Sequence, residues 1–388
     1  MSISPITVKK SFFTRPYVIE YMSAAVRSMT LNRRASKTWK VQEHKMSDTP
    51  LAARQNIHTR VEYVDTMRGV CILLVNYFHA NFTLFMYKYV ADICVHPFLF
   101  MAGYFYSHRL SFRDNAIKKA RSNLFPYYVF GLFYYFVWLC FSGNPNGDVI
   151  APLRAVLYLP TGFFPIESAL YFLPMMFFGV IIFSLIEKNI GSEKLRLLAV
   201  LLITLLGNIW IKLSDARLPM SIDVAMSLLI YIYLGYNGRK ILSFTDSMLA
   251  RLKSRWSKVL VFIILAVLNY IAIELCPISN IRNGEWGIIP MTHLNTCVTM
   301  LLWVYFFRWF DKVHAFSVLS RVLKYIGRNS MIFMCFSHVG LKISQVIVSR
   351  LPLPLPMYNI AYYFLSIVVI LPLVFIFNRT KLHLIFGR

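Results

Sequence analysis

With 388 residues, 57% of them hydrophobic and only 15% charged, the chain falls well short of the roughly 25% charge of a soluble domain. Its apolar residues come in repeated blocks of about 20, the length needed to cross a bilayer as helix, which excludes an ordinary soluble fold. A net charge of +24 would suit nucleic acid, but the positive charge alternates with the apolar blocks instead of forming one basic domain, so no nucleic-acid partner is expected.

Residues 1–60 carry eleven Lys and Arg against three acids, with no apolar core long enough for a signal peptide. They read as a flexible basic tail on the cytoplasmic side, attracted weakly to anionic lipid. Met46 is an alternative start, and an Arg-rich, acid-poor transit peptide a lesser reading. Residues 61–388 read as one membrane domain. Ten spans are expected, at about 67–86, 89–107, 123–142, 168–187, 195–213, 219–237, 258–276, 289–308, 329–349 and 357–378. The even-numbered loops and the C-terminus, rims included, hold 22 Lys and Arg, whereas the odd-numbered loops hold six: Lys88, Arg154, Lys212, Arg217, Arg282 and Arg350. The positive-inside rule then places both termini in the cytoplasm. The fold class is all-α, polytopic. No inverted repeat of the transporter kind is visible, and the six cysteines stand singly, without metal-like spacing.

The first span contains "RGVCILLVNYFH". Eleven helical residues turn the chain through about 1100°, so Arg68 and His79 share a face, about 16 Å apart along the axis. Arg68 sits at a membrane rim and His79 well inside, where ionisable groups are expensive and usually functional. On the second span, "ADICVHPFLFMAGYFYSHR" places His96 about 12 Å from the rim at Lys88, beside Pro97, whose missing N–H suits a kink. On the ninth, "YIGRNSMIFMCFSHVG" places His338 about 15 Å past Arg328. Any one of these histidines alone reads as a hydrogen-bonded core residue; three at similar depth exceed what chance packing supplies. Before the third span, Lys118 and Arg121 lie one turn apart, with Lys119 and Arg113 close by. From charge alone they are positive-inside residues; functionally, this is the face where a cytosolic phosphorylated donor binds.

"VDTMRGVCILLVNYFH", "HPFLFMAGYFY", "KKARSNLFPYYVF", "LYFLPMMFF", "LPMSIDVAMSLLIYIYLGY" and "IGRNSMIFMCFSH" resemble, in order, the landmarks of the acyltransferase-3 family of membrane-bound acyltransferases, many of which O-acetylate bacterial surface polysaccharides. The resemblance covers about residues 61–378. Each block is weak singly; six in order, each at the expected membrane side, are strong. The family's Arg and His on the first span fall on Arg68 and His79, preceded by the expected acid, Asp65. The family's histidine before proline is His96. The two arginines expected before the third span are here Lys118 and Arg121, a departure, since lysine keeps the charge but loses the planar fork that matches phosphate. The tryptophan of the fourth-span motif is Tyr171, which places Glu167 one turn earlier, at the outer mouth.

The resemblance implies an O-acyltransferase that binds no cofactor permanently and takes acetyl-CoA, or another acyl-CoA, from the cytoplasm as donor. Arg68, Lys118 and Arg121 hold its phosphates, His79 acts as general base with Arg68 and His96 in the catalytic set, and Glu167, Asp223 and His338 contact the acceptor. Glu167 and Asp223 bind acceptor hydroxyls or polarise His96, or are ordinary rim acids. The acceptor is a cell-surface or lipid-linked saccharide, and the location a bacterial cytoplasmic membrane. Direct transfer and an acyl-histidine intermediate are both open. Two rival classes remain: a proton-coupled transporter using the same histidines as a relay, and a non-catalytic membrane partner that retains the fold, which loss of His79 or Arg68 would mark, although both are present.

Overall fold

Apolar runs closed off by Pro, Gly and Ser fold into helices throughout. Residues 61–80, 87–141, 148–158, 164–277, 280 and 287–387 are described in a computed structural model; the basic tail, 1–60, lies outside them. In chain order come α1 (Glu62–His79), α2 (Tyr87–Ile93), α3 (His96–Tyr104), α4 (Phe112–Lys119), α5 (Phe125–Phe141) and α6 (Ile150–Leu157). Then follow α7 (Phe172–Asn189), α8 (Glu193–Leu213), α9 (Ile222–Ser227), α10 (Leu229–Tyr236) and α11 (Gly238–Ala250). The last are α12 (Arg255–Leu275), α13 (Ile289–Phe310), α14 (Ser317–Arg328), α15 (Ser330–Val348) and α16 (Leu355–Arg379). Among the described residues there is no β-strand.

Among the described residues, six helical stretches are long and apolar enough to cross a membrane: Phe112–Phe141, Ser168–Asn189, Glu193–Leu213, Arg255–Leu275, Ser330–Val348 and Met357–Arg379. Pro219–Ser227 and Leu229–Tyr236, bent by 58° at the break, make a seventh if the pair counts as one broken span. The chain is thus a multi-pass membrane protein, all-helical over its described residues. The described parts of the three other stretches expected to span are also helical, but differ in character. Helix α1 carries Glu62, Asp65 and Arg68 in its first two turns. Helix α13 buries Thr292, Asn295, Thr296 and Thr299. The second expected span is interrupted: α2 ends at Ile93 and α3 restarts at His96, with Pro97 in its first turn. There the missing proline N–H costs nothing, because the first N–H groups of a helix have no intrahelical partner. Pro97 therefore starts a helix instead of kinking one.

Helix α1 is the wall between two apolar cores. Its Ile72 and Val75 pack with Tyr127, Tyr134, Leu170 and Phe333. Its Met67 and Cys71 pack with Leu99, Met175, Tyr231 and Met300. At its start α1 crosses α14 with backbones nearly touching: a Cβ on Gly69 would run into the Leu323 carbonyl, and one on Gly327 into the Asp65 carbonyl. Small residues at such crossings let helices approach closely inside membranes.

Ion pairs lock the same end. Thr66 donates to Asp311 at the end of α13 (2.9 Å), Arg328 Nε lies 3.3 Å from Asp65, and Lys324 pairs with both Glu62 (2.7 Å) and Asp311 (3.3 Å). Burial alone would lower the Lys324 pKa, but the Glu62 and Asp311 carboxylates outweigh it and raise it. Arg308 on α13 meets Asp246 on α11 (3.2 Å), and Lys240 on α11 meets Glu193 at the start of α8. The starts of α1 and α8, the end of α13, and helices α11 and α14 therefore share one face, rich in Lys and Arg: the basic face.

Candidate active site

Local helical geometry carries His79 from the basic face into the interior. It is the last residue of α1, eleven positions after Arg68, about 16 Å up the axis. There its ring lies against His338 of α15, centroids 4.3 Å apart and planes tilted by 48°. His338 is held in turn by Glu167, whose side chain is fully buried. Glu167 Oε1 accepts from His338 Nδ1 at 2.5 Å and from Ser337 Oγ at 3.0 Å; Oε2 accepts from the His338 backbone N–H at 2.9 Å. A carboxylate can only accept, so Nδ1 carries the proton and Nε2 of a neutral His338 is the acceptor, 3.3 Å from Ser168 Oγ. A buried charge is tolerable only when hydrogen-bonded this fully.

Glu167 owes its place to an unusual backbone. Ile166 before it has φ 61°, the left-handed region that β-branched residues almost never occupy. This turn ends the segment 164–166 and aims the carboxylate at α15, after which Ser168–Tyr171 forms a 3₁₀ turn into α7. Strained backbone of this kind persists only where its surroundings enforce it. Tyr171, at the position where a tryptophan was expected, is buried in the core.

At the basic end, Arg68 is half-buried, and the Lys119 ammonium lies within electrostatic reach of both it and Lys118. Lys118 lies in the last turn of α4, and Arg121 lies in a π-helical turn, Ala120–Leu124, that joins α4 to α5. Such turns are rare and concentrate at functional sites. The C-terminal turn Lys381–Phe386 seats Phe386 against Phe130 (5.7 Å between centroids), and Gly387 follows beside the Arg121 carbonyl. Lys118 and Arg121 are both exposed, and among the described residues neither has a hydrogen-bond or ion-pair partner.

The eight residues expected to act thus divide into four places. His79, His338 and Glu167 meet. Arg68, Lys118 and Arg121 gather at the basic end of the same helix. His96 instead belongs with a different group: its ring meets Tyr231 edge-on at 4.6 Å, and it lines a narrow crevice with Pro97, Thr296, Thr299 and Trp303. Asp223 is fully buried, its Oδ2 accepting from Arg217 Nε at 2.5 Å and its Oδ1 from the Val224 N–H at 2.9 Å. It follows Met220 and Ser221, both with positive φ (54° and 57°).

Sequence reasoning passed over Ser168 and Ser337, which nothing short of the tertiary contact distinguishes from other serines. It also passed over His293 on α13, which accepts or donates at 2.7 Å to the Tyr231 hydroxyl and sits 3.2 Å from Asn208 Nδ2. His293 carried the same signal as the other three, an imidazole within an apolar stretch. Among the described residues no cluster of His, Cys, Asp and Glu could hold a metal ion.

A family model described as an acyltransferase domain, Acyl_transf_3, matches residues 61–379. No curated protein matches the chain.

Proposed function

The chain belongs to the acyltransferase-3 family of membrane acyltransferases, and from that premise we propose that it moves an acyl group, acetyl foremost, from cytoplasmic acyl-CoA to a hydroxyl of a cell-surface or lipid-linked saccharide. In this reading the ten expected spans all cross the membrane, both termini and the basic face are cytoplasmic, and the membrane is the bacterial inner one. The orientation follows from the excess of Lys and Arg on that side.

One observation carries the proposal. A single helix, α1, presents Arg68 to a basic cluster at one end and His79 to a buried Glu–His pair at the other. The donor's phosphates bind Arg68, Lys118 and Arg121 through charge-assisted hydrogen bonds, and its extended pantetheine arm runs along α1 toward His79. The acceptor hydroxyl, entering from the opposite face, gives its proton to His79 while its oxygen attacks the thioester carbonyl. A C–O bond forms, the C–S bond breaks, and the proton passes from His79 to the departing thiolate, leaving an ester and CoA. Two features stabilise the imidazolium while it exists: the carbonyl end of α1, where the helix dipole favours positive charge, and Glu167, one imidazole away.

The test is chemical. Surface glycans from cells with and without the protein are compared for alkali-labile acyl esters, and purified protein is assayed for CoA release from acetyl-CoA. The expected result is ester loss without the protein, and release that depends on His79. Unchanged glycan esters together with His79-independent release would overturn the proposal.

A further inference from the structure

Several basic side chains on the basic face are spoken for. Lys188 donates to the Leu110 carbonyl, Arg196 to the Ile190 carbonyl and Tyr236, and Lys240, Arg308 and Lys324 pair with acids. The segment "RLKSRWSK", residues 251–258, gathers four that are not. Arg251, Lys253, Arg255 and Lys258 are all exposed, and among the described residues none of the four has a side-chain hydrogen bond or ion pair. No acid interrupts them, and Arg255 and Lys258 stand three apart on one helix, a spacing at which like charges repel. Between them Trp256 is 80% exposed.

Position gives this charge its meaning. Helix α12 begins within the segment, and only 11% of its apolar window is buried inside the chain, against 28–61% for the five other long spans. Its start therefore stands at the boundary between protein and lipid. Helix α11, which leads into the segment, has thirteen residues, about 20 Å, and is too short to span. It exposes Phe244 (64%) and Met248 (47%) one turn apart, and Arg251 continues the same stripe. An apolar stripe running into a row of cations, with a tryptophan at the level where indole rings favour the interface, matches the layering of a membrane surface: acyl chains, then glycerol, then phosphate.

We propose that residues 251–258 form a docking site for the anionic head groups of phospholipids in the leaflet against the basic face. The phosphodiesters neutralise the four cations, Trp256 sits at the glycerol level, and the stripe on α11 lies on the acyl chains. Each Lys or Arg held near an anionic surface strengthens attachment roughly fivefold, so removing four should be easy to detect. The site is separate from Lys118 and Arg121, and its existence does not depend on the acyl transfer proposed above.

The test uses the full purified chain in detergent, titrated with phosphatidylglycerol or phosphatidylcholine of the same acyl chains and read by native mass spectrometry. Wild type should prefer phosphatidylglycerol by at least about tenfold, and the preference should shrink as salt rises. Arg251→Gln/Lys253→Gln/Arg255→Gln/Lys258→Gln should reduce it about tenfold or more, whereas the charge-keeping pair Arg251→Lys/Arg255→Lys should retain it. If the quadruple variant does not insert, Lys253→Gln/Lys258→Gln should still show a partial loss. Equal binding of the two lipids by wild type, or an undiminished preference in an inserted Gln variant, would overturn the proposal. So would displacement of phosphatidylglycerol by adenosine 3′,5′-bisphosphate, which would assign the segment to the donor nucleotide.

Discussion

Glu167→Gln changes one atom and should nearly silence the enzyme. The glutamine keeps the volume of the buried glutamate, and its carbonyl can still accept from Ser337 or the His338 backbone N–H. What it cannot keep is both acceptor oxygens: one position now bears an NH₂, which donates toward whichever group it faces. If that group is His338 Nδ1, now 2.5 Å from the carboxylate, the imidazole proton must move to Nε2, and the ring presents the wrong tautomer beside His79. A hydrogen bond to a charged group contributes about 1.5–3 kcal/mol, or one to two decades of rate. Fixing the wrong tautomer of a catalytic imidazole has cost as much as about 10⁴-fold in a serine protease. We therefore expect kcat to fall about 100- to 1000-fold, with the donor KM nearly unchanged, because Glu167 lies beyond the end of α1 remote from Arg68. The assay is CoA release from acetyl-CoA by purified protein in detergent, with folding checked by size exclusion. A variant retaining half the wild-type rate, or one whose only change is a higher donor KM, would show that the Glu167–His338 pair is structural.

His79→Ala should lower product formation at least about 100-fold, the usual range for losing a general base, while acyl-CoA binding measured by calorimetry stays the same; a normal rate would remove His79 from the mechanism. Lys118→Ala/Arg121→Ala should raise the donor KM and reduce kcat less, because phosphate contacts are made in ground and transition states alike; steady-state kinetics at several acetyl-CoA concentrations separates the two. Gly327→Ala forces a Cβ into the Asp65 carbonyl and should cost about 1–3 kcal/mol, seen as a lower melting temperature or lost expression, whereas a normal melting temperature would mean that the α1–α14 crossing can relax. A reporter fused after residue 245 should report the cytoplasm, on the same side as the C-terminus; an external signal would invert the orientation and put the basic cluster out of reach of acyl-CoA.

Much of this was legible in the sequence because it is local. Apolar run length gives a membrane helix, and the helical repeat alone puts Arg68 and His79 on one face and fixes their separation. The ordered blocks from residue 61 onward carried the family, which the match over 61–379 bears out. The basic residues before the third span were equally visible, since charge is written in the sequence. Lateral neighbours were not. Depth along each helix placed His79, His96 and His338 at similar heights, yet height does not say which helix stands beside which. Packing brings α15 against α1 and so pairs His338 with His79, while α3 turns His96 toward Tyr231 on α10. Glu167 looked like an outer-rim acid free to polarise His96; only the left-handed turn at Ile166, enforced by the surrounding core, aims it at His338 instead. A residue's own helix determines its face and depth, but its partners come from other segments, and those meetings are settled by the packing of the whole bundle.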